Sequence, residues 1–128
     1  MNIIDAIIDN DLPKVKELIA SGADVNFQNG YKMTALMTAS RRGYSEIVKE
    51  LIASGADMNL QNKCGETALI LATKEGYFNI VKELVEAGAD VNLKDDYGMT
   101  ALIISRWSKC LSRCFETERY LKQNGAIE

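Results

Sequence analysis

The chain has 128 residues, and its 15 Lys plus Arg against 18 Asp plus Glu give a formal net charge of −3, with no histidine. That length suits one domain, and an acidic balance with interleaved signs is a poor match for a nucleic-acid backbone. Without histidine there is no Ser-His or Cys-His nucleophile pair, and no glycine-rich phosphate loop is present. No catalytic site, cofactor or nucleic-acid partner is therefore expected.

In chain order, Asn2 to Asp9 reads as a first helix, because Asp5 and Asp9 interrupt its apolar residues and no basic leader precedes it. Asp11 is placed to cap a second helix, with Pro13 tolerated in its first turn. Val15, Leu18 and Ile19 continue the apolar stripe. Gly22-Ala23-Asp24-Val25-Asn26 closes this segment and returns as Gly55-Ala56-Asp57-Met58-Asn59 and Gly88-Ala89-Asp90-Val91-Asn92, at a spacing of 33 residues. Thr34-Ala35-Leu36, Thr67-Ala68-Leu69 and Thr100-Ala101-Leu102 keep the same spacing. Two unrelated motifs holding one period mark an array of stacked helical units.

The unit from 62 to 94 is the most regular. Thr67 is its N-cap, a short helix follows over about 68–74, and Gly76 breaks it. A second helix over about 78–87 carries Ile80, Val81, Leu84 and Val85 on one stripe. Gly88 ends that helix, where a left-handed residue is needed. One such unit cannot bury its own apolar face, so its neighbours must complete the core.

The unit from 29 to 61 repeats this pattern but has Lys32 where Gly65 and Gly98 stand later. Its Asn29-Gly30 favours a tight turn with positive φ at both central residues, which predicts a first hairpin shaped differently from the others. The last unit, 95 to 128, begins in register and then slips. Gly125-Ala126 follows Gly88-Ala89 by 37 residues, so four extra residues lie within 106–114, lengthening a helix or enlarging the connection. Leu121 keeps a core position, Lys122 replaces Val85, and Trp107 is expected to plug the end of the stack. Lys14, standing where Ile47 and Ile80 stand later, gives the unit 1–28 a polar cap, and two atypical ends are expected of a complete array.

The residues Gly65-x-Thr67-Ala68-Leu69, Ala72, Gly76-Tyr77, Ile80-Val81, Leu84-Val85 and Gly88-Ala89-Asp90-Val91-Asn92 resemble an ankyrin repeat. The resemblance covers almost the whole chain. It implies an all-α solenoid of helix-turn-helix units with projecting β-hairpin loops and a concave, protein-binding face. One departure is that Thr-Ala-Leu is followed by Met37, Ile70 or Ile103 where the family has a histidine, so apolar contact must replace that residue's hydrogen bonds.

Residues that recur in register serve caps and turns, so recognition is sought where the copies disagree. At the hairpin tips these are Tyr31, Met33, Cys64, Glu66, Asp96, Tyr97 and Met99; at the ends of the first helices they are Arg41, Arg42, Lys74, Glu75 and Trp107. Tyr, Trp, Met and Arg are enriched in interface cores. The expected function is a non-enzymatic module that binds another protein through the tips and concave face. The alternative is a structural or self-associating scaffold with no specific client.

Cys64, Cys110 and Cys114 are an odd number in a chain that draws its core from stacking, so free thiols, a reducing cytoplasmic setting and no metal site are expected. No apolar run approaches the ~20 residues of a membrane span. The chain is expected to be a soluble monomer.

Overall fold

The computed structural model describes residues 2–107 and 114–127. Among them lie eight helices: α1 (Ile3–Ile8), α2 (Leu12–Ala20), α3 (Ala35–Arg42), α4 (Ser45–Ala53), α5 (Ala68–Glu75), α6 (Phe78–Glu86), α7 (Ala101–Ser105) and α8 (Cys114–Gln123). No strand is assigned among the described residues.

Each first helix from α3 onward starts the same way. The hydroxyls of Thr34, Thr67 and Thr100 accept from the backbone N–H of Met37 (3.1 Å), Ile70 (3.2 Å) and Ile103 (3.3 Å), satisfying a donor that the first turn leaves unpaired. Gly43 and Gly76 end α3 and α5 with φ of 79° and 78°, a conformation that costs residues with a Cβ. At Gly43 a Cβ would also lie 2.8 Å from the Tyr77 ring. The first unit substitutes Asn2 and Asp11 as caps of α1 and α2, and Pro13 occupies the first turn of α2.

The helices form two layers. α1, α3, α5 and α7 pack in sequence along one layer, and α2, α4, α6 and α8 along the other. Leu36, Leu69 and Leu102 are buried, equivalent members of this row, as are Ile47 and Ile80, Leu51 and Leu84 in the second layer. Met37 and Ile70 are buried as well, which places apolar contact where the family's histidine would stand.

The loops bind the units together through side-chain amides that repeat with the period. Asn26 Oδ1 accepts from the backbone of Asp57 (2.7 Å), Asn59 Oδ1 from Asp90 (2.8 Å) and Asn92 Oδ1 from Ile127 (2.9 Å). Gln28 and Gln61 donate to the carbonyls of Gln61 and Lys94, at 3.3 and 2.9 Å. At the tips, Lys63 N–H donates to the Tyr31 carbonyl and Asp96 N–H to the Cys64 carbonyl, both at 3.0 Å. The projecting hairpins implied by the resemblance are thus closed turns stacked tip to tip, without strand ladders among the described residues.

The first tip is not shaped differently. Asn29, Asn62 and Asp95 each accept two backbone N–H groups on Oδ1, at residues two and four further on. Lys32 takes the left-handed conformation (φ 58°) held by Gly65 and Gly98, while Gly30 has no positive φ. The Asx turn sets the shape, overriding the Asn-Gly preference, and the strain falls on a lysine.

In the fourth helix pair, α7 has five residues where α5 has eight. The four extra residues therefore do not lengthen α7; the rest of the stretch expected to hold them, 108–113, lies outside the described residues. Leu121 is fully buried, as expected, and Tyr120 meets the Phe78 ring edge-on at 5.8 Å. Arg106 Nε donates to Glu118 at 3.0 Å and Lys122 lies 3.2 Å from the same carboxylate. The Arg106 hydrogen bond, then that of Lys122, lowers the Glu118 pKa. A lowered folded-state pKa means stabilisation present above the unfolded value and lost as pH falls through the folded one.

Candidate functional site

The tips and the ends of the first helices share one face, where two grooves open. The first, of about 410 Å³, is bounded by Ile8 of α1, Arg41 and Arg42 of α3, and the tip residues Tyr31, Lys63 and Cys64. The second, of about 600 Å³, is bounded by Lys74 and Glu75 of α5, Tyr97 and Met99 of the next tip, and Ile104 and Trp107. The tip over 62–66 stands between them, since its Glu66 lines the first groove and ion-pairs with Lys74 of the second.

Of the twelve residues expected to meet a partner, eleven line one groove or the other; Asp96 is exposed but lines neither. Tyr31 and Tyr97 are 74% and 89% exposed. Trp107 is 80% exposed, so it does not plug the stack as expected: with α7 ending at Ser105, the indole lies beyond the helix that would have carried it inward. Met33 is only 8% exposed and forms floor, with Asn62 Nδ2 3.4 Å from its sulfur. Glu66 also has little to offer a partner, because its side chain is 12% exposed and engaged by both Lys74 and Asn62 Nδ2 (3.1 Å).

The charges of the two grooves follow from the register. Met33 stands where Glu66 stands one unit later, Arg41 where Lys74 stands and Arg42 where Glu75 stands. Lys74 is therefore neutralised inside its own unit, whereas the position matching Glu66 in the unit of Arg41 is an uncharged methionine. Among the described residues, Arg41, Arg42 and Lys63 form no ion pair. Both arginines lie in the last turn of α3, where the helix dipole favours positive charge.

Two residues that sequence reasoning passed over belong to the first groove. Ile8, 46% exposed, precedes Arg41 by 33 residues and so belongs to the series continued by Lys74 and Trp107. No tip precedes α1 among the described residues, which hid the equivalence. Lys63 stands opposite Gly30 and Asp96 in the other tips, a disagreement between copies that is visible in the sequence without marking Lys63 as a contact. Cys64 is exposed with a free thiol. The side chains of Cys110 and Cys114 lie outside the described residues, and so do the free thiols expected there. Among the described residues, no group of three or more His, Cys, Asp or Glu is arranged to hold a metal, and no helix is long and apolar enough to cross a membrane.

The family model for ankyrin repeats, in three copies, matches residues 3–95 and, in an overlapping placement, 39–126. The chain belongs to the ankyrin-repeat family. Ankyrin repeats are generally protein–protein interaction modules and typically non-enzymatic. A search of curated proteins finds no match.

Proposed function

We propose that the chain binds another folded protein through the face shared by its loop tips and first-helix ends, acting as a single four-unit array in a reducing cytoplasmic setting. The observation that supports this is the gathering of Tyr31, Tyr97 and Trp107, all strongly exposed, around two grooves on one face. Exposed aromatic side chains gathered on one face are the kind of patch that marks an interaction site, and they supply contact area together with a polar handle. A stable complex needs about 800 Å² from this side, more than one groove provides. A natural partner would accordingly span both.

The test is capture of the partner from the native source by the parent and by two double variants. Tyr31→Ala with Tyr97→Ala should reduce capture strongly while leaving the melting curve nearly unchanged, because neither ring is buried. Lys16→Ala with Glu86→Ala, exposed on α2 and α6 of the other layer, should capture as the parent does. Undiminished capture by the tyrosine variant, or loss in the second, would refute the assignment of the face.

A further inference from the structure

We infer that the first groove is a docking site for an acidic peptide segment that carries an apolar side chain. This rests on the proposed use of the tip-side face and names the chemistry that one part of it selects.

Arg41, Arg42 and Lys63 converge on this groove from α3 and the 62–66 tip. Glu66, the acidic side chain on its wall, has its charge met by Lys74. The groove is thus basic on a chain of net charge −3, so the charge is local to it and not a property of the whole molecule. Unpaired guanidinium groups are matched by carboxylates, which they bind through paired N–H donors. Exposed Ile8 and Tyr31 line the same groove as those charges, with the buried Met33 in its wall, and together they offer it an apolar contact. A polyanion without apolar groups would leave that part of the groove unused. The second groove lacks this combination, since its Lys74 is already paired and Glu75 would repel an acidic segment.

The experiment measures fluorescence anisotropy of the full chain with four labelled probes of equal length. These are a glutamate–leucine peptide, a glutamate–serine peptide, a lysine–leucine peptide and a single-stranded oligothymidylate. The glutamate–leucine peptide should bind tightest, the glutamate–serine peptide several-fold more weakly, and the lysine–leucine peptide and the oligonucleotide worst. Raising salt should weaken binding, and Arg41→Glu with Arg42→Glu should reduce it at least about tenfold. Glu116→Lys, an exposed change on α8, should have little effect.

Equal binding of the oligonucleotide would make the groove a general anion site and overturn the peptide assignment. So would indifference to the arginine changes or preference for the lysine–leucine peptide. Normal capture of a native partner that depends on Tyr31 and Tyr97, together with no binding of any probe, would remove this inference while leaving the use of the face intact.

Discussion

The two grooves are lined by repeated positions of one array, with Arg41 and Arg42 in the first standing 33 residues before Lys74 and Glu75 in the second, yet one is basic and the other has its cation neutralised internally. The difference comes from three substitutions in register: Met33 for Glu66, Arg41 for Lys74 and Arg42 for Glu75. None of the three fills the buried row of Leu36, Leu69 and Leu102. Met33 is itself buried beside Asn62 of the next tip, so the array changes its recognition chemistry one unit at a time while leaving the row of leucines in place.

The largest effect on this comparison should come from the wall between the grooves. A Cβ on Gly65 would lie 2.7 Å from the backbone nitrogen of Asp96, at a φ of 77°. Gly65→Ala is expected to cost about 2 kcal/mol or more from strain and displacement of the next tip, read as a lowered urea midpoint at constant slope. A smaller change should make the grooves alike. Glu66→Gln releases Lys74 and is expected to tighten glutamate–leucine peptide binding about threefold, while costing roughly 0.5–1 kcal/mol of stability from the lost ion pair. Unchanged affinity would show that Lys74 does not reach bound peptide.

The smallest effect has the opposite sign. Lys32 holds at φ 58° the conformation that the other tips give to glycine. Lys32→Gly should relieve that strain at some entropic cost in the unfolded chain, for a net gain of about 0.5–1 kcal/mol. A loss of stability on thermal unfolding would mean that the Lys32 side chain makes a contribution larger than the strain.

Much of the fold was legible because its determinants are local and written several times. Threonine caps, helix-ending glycines and the apolar stripe each depend on a few adjacent residues, and repetition separated them from chance. The shape of the first tip was misread because Asn29 acts through its side chain on two backbone groups, a constraint stronger than the dipeptide preference. Trp107 was misplaced because its position depends on where α7 stops, at the slip in the period.

The site was legible as a set of positions but not as chemistry. Disagreement between copies picked out Arg41, Arg42, Tyr31 and Tyr97, whereas the pairing of Glu66 with Lys74 and the burial of Met33 depend on how a tip folds back against its helix. Ile8 joins the groove through packing of α1 beside α3, a contact between units that its neighbours in sequence do not show.

The central claim is that the variable positions carry recognition while the recurring ones carry the fold. It is tested most directly by writing the third unit's residues into the second: Met33→Glu, Arg41→Lys and Arg42→Glu in one chain. Melting should move by no more than about 4 °C, with binding of the glutamate–leucine peptide falling to the level of its lysine–leucine counterpart. A variant that fails to fold, or one that folds and binds the acidic peptide as the parent does, would contradict the account.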